Sequence, residues 1–177
     1  MTRAAQRPVT DQPKPAALQI AVQTLDHRER LVAAEIHAVM SLAYVQEAAL
    51  LGVQHFAPLQ RTVQDIQAGA EFYLGVVQDR QLLGLLSVGA DDERDQLLIC
   101  TLVVHPRAQR QGIGRALVRD ALRRGEGMVF AVSTGADNGP ALALYRAQGF
   151  VAYRRGVMGP DAVAVVKLRR APPDTPA

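Results

Sequence analysis

The chain has 177 residues, 49% of them apolar and 21% charged, enough to bury one ordinary core and giving no reason to seek a second. Its net charge of +3 rests almost wholly on arginine, since Lys14 and Lys167 are the only lysines; it suits a phosphate-bearing ligand, and with no basic tract and no aromatics set among basic residues it predicts no nucleic-acid partner. No run matches the about 7–15 apolar residues of a signal peptide or the ~20 of a membrane span, which predicts a cytoplasmic protein without a membrane partner.

Residues 1–16 and 171–177 are rich in Pro and in small or polar side chains, too poor in apolar surface to offset ordering entropy, and read as disordered tails around one domain at 17–170. A first strand is expected at 18–25, then a long helix over 28–53 with Ile36, Val39, Met40, Ala43 and Leu50 towards one face. A short helix follows within 59–69, stopped at Gly69. The runs 71–79 and 81–90, joined at Asp79-Arg80, form a hairpin. After the polar loop DDERD comes QLLICTLVVHP, whose unbroken apolar character predicts a central strand covered on both faces and ended by Pro106.

From Ile113 to Leu122, Ile113, Leu117 and Ala121 repeat every four residues while Arg115, Arg119 and Arg123 line another side, the spacing of an amphipathic helix. GMVFAVST is a further strand. Asn138 caps a helix over 139–148, Gly149-Phe150 fits a glycine stop, and FVAYRRGVM and AVAVVKLRR complete the strands. The order predicts an α+β (mixed α/β) fold, a mostly antiparallel six- to seven-stranded sheet flanked by about four helices. Cys100 reads as a buried, inert thiol without a disulfide partner. His27, His37, His55 and His105 show no ligand spacing, so no metal is assigned.

Chemistry concentrates at Gly112-Ile113-Gly114, between strand and helix. The first amides of a helix lack internal partners and face outward at the positive end of the dipole, and glycines let the backbone approach an anion. A dinucleotide-binding GxGxxG would need glycine where Leu117 stands, and a Walker turn would need a lysine that is absent. Two readings remain open from the turn itself: phosphate binding, or a tight turn beneath a surface helix.

LVVHPRAQRQGIGRAL together with STGADNGPALALYRAQGF resembles the GNAT acyltransferase superfamily over about residues 97–152. Gln109-Arg110-Gln111-Gly112-Ile113-Gly114 matches its acyl-CoA pyrophosphate motif Gln/Arg-x-x-Gly-x-Gly/Ala; Asn138 to Ala141, Leu144-Tyr145 and Gly149-Phe150 match its C-terminal motif. The resemblance implies a sheet splayed between its fourth and fifth strands, with acetyl-CoA as co-substrate in the opening. Pantetheine would pair with backbone groups of Leu102, Val103 and Val104, and the pyrophosphate would sit on the amides of Gln111 through Arg115. Gln109, Arg110, Arg115 and Asn138 would add contacts; for the arginines the plain alternative is a solvated charge, and for Asn138 an N-cap alone.

The resemblance further implies an N-acetyltransferase acting on a small-molecule or peptide amine by direct attack, with a backbone N–H near Leu102 polarising the carbonyl and Tyr145 as acid to the thiolate. Tyr145 has a packing alternative. The central strand carries no acid. A base could instead come from the first helix, where Tyr44 and Glu47 lie three apart and share a face, though an exposed, solvated Glu47 or a water chain is open too. His37 and His105 read as structural. Thr134, after the fifth strand, joins Tyr44 and Glu47 as an acceptor contact. A non-catalytic acyl-CoA sensor is the alternative function, and a homodimer is left open.

Overall fold

In the computed structural model, which describes residues 20–172, β1 (Val22–Leu25) leads into α1 (Arg30–Leu51), a 3-10 turn (Ala57–Gln60) and α2 (Val63–Ala68). Then come β2 (Phe72–Gln78), β3 (Gln81–Ala90), β4 (Gln96–Val104), a second 3-10 turn (Pro106–Ala108), α3 (Ile113–Arg124), β5 (Val129–Gly135), α4 (Gly139–Ala147), β6 (Val151–Met158) and β7 (Val163–Arg170). The expected tail at 1–16, the start of the first strand and residues 173–177 lie outside the described residues. Among those described, no helix is long and apolar enough to cross a membrane and no cluster of His, Cys, Asp or Glu could hold a metal ion.

The strands form one seven-stranded sheet in the order β1-β2-β3-β4-β5-β7-β6. All pairs are antiparallel except β4 with β5, so the mixed α+β architecture read from the sequence is the one formed. One core lies between the sheet and α3 and α4, with Leu117 and Val118 buried and Phe150 beneath. The other lies under α1 and α2, with Ala33, Ile36, Met40 and Tyr44 against Tyr73, Leu85 and Val103. Each fully buried large aliphatic side chain contributes about 1.5–3 kcal/mol of apolar transfer.

The α3 face follows its spacing: Ile113, Leu117 and Ala121 are buried, and Arg115, Arg119 and Arg123 face solvent. Helix α1 departs from expectation at Leu50, which is 52% exposed; six residues beyond Tyr44 it lies about 240° round the helix, off the buried stripe. Ala43 is half-buried.

The sheet opens at β4. Ser87 pairs with Thr101 but its neighbour Val88 pairs with Ile99, so Cys100 is an extra residue, a β-bulge. The parallel pairing of β4 with β5 runs from Gln96–Val129 to Ile99–Val132 and stops at the residue before it. A bulge bends its strand and sharpens the local twist, which carries Cys100–Val104 away from the end of β5 and produces the expected splay. Cys100 is exposed rather than buried, because the bulge turns it out of the ladder into the opening. The central strand is accordingly covered only in part, with Leu102 and Val104 half-buried.

Candidate active site

On one side of the opening, β4 ends in Val104 and the chain turns into α3. His105 accepts a hydrogen bond at Nδ1 from the Arg107 N–H (3.2 Å), a local structural role. Arg110 has φ +63° and Gly112, the N-cap of α3, has φ +87°. Gln111 between them is not left-handed. Alternation of this kind turns successive N–H groups into one concavity, a backbone nest suited to an anion. The helix makes its first bond from the Ala116 N–H to the Gly112 carbonyl (3.0 Å), which leaves the amides of Ile113, Gly114 and Arg115 for an outside acceptor. Gly112 is demanded by its φ; at Gly114 a Cβ would stand 3.1 Å from Leu144 Cδ1, a close contact that a few tenths of an ångström of movement by Leu144 would relieve.

The side chains around this turn divide. Among the described residues Arg110 and Arg115 are exposed and form no ion pair. Gln109 donates from Nε2 to Gln46 Oε1 (2.8 Å) and to the Val104 carbonyl (3.3 Å), and Gln111 donates to the Arg107 carbonyl (3.3 Å); both amides are engaged within the protein.

The register of β4 separates the three backbone positions expected to face pantetheine. The His105 N–H bonds the Leu83 carbonyl (2.8 Å), so in the antiparallel alternation Val103, opposite Leu85, is also a hydrogen-bonded pair with β3. Leu102 and Val104 point their N–H and C=O groups the other way, towards the opening, where the Val104 carbonyl also accepts from Gln109 Nε2 (3.3 Å). Val103 is therefore corrected: its polar backbone is spent on the ladder, and its side chain is buried against α1.

Beyond the bulge lies a cavity of about 180 Å³ lined from α1 by Tyr44, Glu47 and Leu51, from β4 by Cys100 and Leu102, from β5 by Ser133 and Thr134, and from α4 by Tyr145. Tyr44, Glu47, Thr134 and Tyr145, four positions singled out from the sequence, thus share one wall system. Asn138 caps α4 by accepting at Oδ1 from the Ala141 N–H (3.1 Å) and donates from Nδ2 to Glu47 Oε1 (3.0 Å). This bridge between α1 and α4, separated by about ninety residues of chain, was not legible in the sequence.

Burial pushes the Glu47 carboxyl above its ordinary range, with the Asn138 bond opposing it. Burial also pushes Tyr44 up to about 12, and its hydroxyl donates weakly to Thr101 Oγ1 (3.4 Å). Tyr145 is 4% exposed, and burial followed by the charge of Glu47 drives its phenol upward, so it stays a proton donor. Among the described residues its hydroxyl has no hydrogen-bond partner, while its ring packs edge-on against Phe150 at 5.5 Å. Cys100 is likewise raised, to about 11, first by burial of its sulfur and then by the charge of Glu71. Its outward position and its protonation have one cause, a partly desolvated thiol at the rim.

Two features had no sequence signal. Asp161, in the turn between β6 and β7, accepts at Oδ2 from the N–H groups of Gln54 (3.0 Å) and His55 (2.8 Å) and meets His55 Nδ1 at Oδ1 (3.2 Å), tying together two segments that both border the cavity. Lys167 on β7 reaches Asp91 (2.7 Å), Asp92 (2.8 Å) and Glu93 (3.3 Å) of the β3–β4 loop, anchoring the base of the bulged strand.

Residues 36–150 match the model of the Acetyltransferase (GNAT) family. The UPF0157 protein YqkA of Bacillus subtilis (strain 168) is 38% identical over 130 residues, 73% of this chain and 37% of that protein; the chain spans little more than a third of that curated relative's length. Among solved structures, the ribosomal-protein-S18-alanine N-acetyltransferase of Escherichia coli superposes with TM-score 0.65 at 17% identity, covering 86% of this chain and 94% of that one. PaiA N-acetyltransferase of Thermoplasma acidophilum, in complex with coenzyme A, gives 0.66 at 12% over 85% and 98%. YncA of Salmonella typhimurium, with its cofactor acetyl-CoA, gives 0.66 at 17% over 90% and 98%.

Proposed function

The chain belongs to the GNAT acetyltransferase family, and from that membership we propose that it moves an acetyl group from acetyl-CoA to a primary amine of a small molecule or peptide by direct attack in a ternary complex. The observation that carries this reading is the juxtaposition across one opening of an anion-suited backbone nest and a cavity holding a protonated tyrosine and a carboxylate.

The residues fit the co-substrate. The nest from Gln111 to Arg115 suits a pyrophosphate, with Arg110 and Arg115 free to add charge, and the outward backbone of Leu102 and Val104 suits an amide-bearing arm laid along β4. When bound, acetyl-CoA supplies the acetyl group as an activated thioester. The Leu102 N–H is the donor nearest the bulge for charge growing on the acyl oxygen. Glu47, held by Asn138, attracts the cationic amine and takes its proton, directly or through water. Tyr145 gives its proton to the sulfur as the C–S bond breaks and the amine nitrogen takes the acyl carbon. Tyr44 and Thr134 bound the space in which the amine is oriented.

The acyl-CoA sensor draws its support from β4, which carries no carboxylate from Gln96 to Val104. Release of free CoA measured against a panel of amines separates the two: release dependent on amine supports transfer, and acetyl-CoA binding with no release under any amine supports the sensor.

A further inference from the structure

Resting on the acetyl-transfer reading, we infer that the acceptor is a compact, mainly hydrocarbon primary monoamine of the arylalkyl or branched alkyl type, without a carboxylate, a phosphate or a second ammonium group. Leu51, Phe56, Met158, Val163 and Val165 give the cavity apolar walls. No lysine or arginine lines the cavity among the described residues, and its one histidine, His55, is turned to Asp161. A carboxylate on the acceptor would meet no cation and would lie near Glu47, whose like charge opposes it. A second ammonium would be stripped of water against hydrocarbon with no partner.

One carboxylate, Glu47, stands opposite Tyr145 and matches one ammonium. Tyr44 and Phe56 meet edge-to-face at 5.6 Å and give the amine's body an aromatic surface. The cavity holds about 180 Å³, little more than the ~150 Å³ that takes a benzene ring, and the acetyl end of the donor shares it, so the acceptor's body within it must be compact. Asp161, by binding Gln54 and His55, ties the β6–β7 turn to the segment after α1 along one edge of the cavity. In the reaction the bound ammonium first loses one proton to Glu47 or water; the neutral nitrogen then gains the acetyl carbon and loses a second proton as the C–S bond breaks and the sulfur gains one, giving a neutral acetamide, free CoA and one proton released to solvent.

The test uses the full chain with acetyl-CoA and four acceptors: 2-phenylethylamine, L-phenylalanine, spermidine and a lysine-containing peptide. We expect kcat/KM for 2-phenylethylamine to exceed that for L-phenylalanine by about 100-fold or more, the scale of a charge left unpaired in such a site, and to exceed the other two by at least about tenfold. Met158→Arg, at a wall position 58% exposed and so tolerant of change, should narrow the phenylethylamine-to-phenylalanine ratio by about tenfold. A faster reaction with L-phenylalanine, spermidine or the peptide overturns the acceptor class and leaves acetyl transfer standing. Acetyl-CoA that binds in calorimetry while 2-phenylethylamine stays unmodified also overturns the class, whereas failure to bind acetyl-CoA overturns the transfer reading beneath it.

Discussion

Replacing Tyr145 by Phe separates a packing tyrosine from an acid. A buried tyrosine kept for structure loses its hydrogen bond on truncation to Phe, at a cost of about 0.5–1.5 kcal/mol. The Tyr145 hydroxyl has no such bond among the described residues, and the edge-on contact with Phe150 at 5.5 Å involves only the ring, which Phe retains. The expected change in unfolding free energy is therefore under about 0.5 kcal/mol, measured by urea denaturation. Turnover should fall by about 10²–10⁴, the contribution of a placed general acid, followed as free thiol with a known acceptor at saturating acetyl-CoA. Acetyl-CoA affinity in calorimetry should change by less than about threefold, since the hydroxyl serves the leaving sulfur. Because burial raises the phenol, the loss should be uniform from pH 6 to about 9. Normal turnover in a folded variant, or a stability loss above ~1 kcal/mol with turnover intact, would refute the acid role.

Gly112→Val should weaken acetyl-CoA binding at least tenfold, about 1.4 kcal/mol, because a β-branched residue resists φ +87° and distorts the nest; equal affinity in calorimetry with a native circular dichroism spectrum would sink the pyrophosphate assignment. Glu47 has a raised carboxyl pKa, so the folded state binds the proton more tightly than the unfolded state and stability falls as pH rises from the ordinary value through the folded one. Glu47→Gln should remove that fall in denaturation series across pH 4–8 while lowering turnover; a pH dependence of stability unchanged from the parent would show that the carboxylate is not desolvated. Lys167→Met leaves Asp91, whose side chain is 1% exposed, as an unpaired buried charge and should destabilise the fold by about 3–5 kcal/mol, read as a shift in urea midpoint; a midpoint unmoved would show that the ion cluster is solvated.

Local signals carried most of the architecture. The four-residue recurrence of Ile113, Leu117 and Ala121 fixed the buried face of α3, and the Gly149-Phe150 stop is realised with the Phe150 N–H on the Tyr145 carbonyl (3.1 Å) and the Gly149 N–H on that of Arg146 (3.0 Å). What was not legible depends on distant or non-periodic causes. Nothing in LLICTLVV distinguishes Cys100 from its apolar neighbours, so neither the bulge nor the thiol's exposure could be foreseen. Which of Leu102, Val103 and Val104 turns outward is decided by the strand on the far side, through the pairing of Val103 with Leu85. Asn138 was readable as a cap but not as the holder of Glu47, and the link from Asp161 to His55 joins residues 106 apart. Lys167, one of only two lysines, had no visible partner until the fold brought it to the DDERD loop.

The bulge makes the opening a matter of chain length as much as of side-chain chemistry. Before Cys100, Ile99 packs with α3 and α4; after it, Val103 packs with α1 and α2, while Leu102 and Val104 return to the α3 side. One residue thus resets the two-residue alternation of the strand. Its deletion would let the ladder run on uninterrupted, with Thr101 and Val103 still opposite Ser87 and Leu85 on their present faces, and would draw β4 back alongside β5, closing the opening. Any substitution at position 100 that keeps the residue count leaves this device in place, so side-chain identity there is free to drift while an insertion or deletion is not.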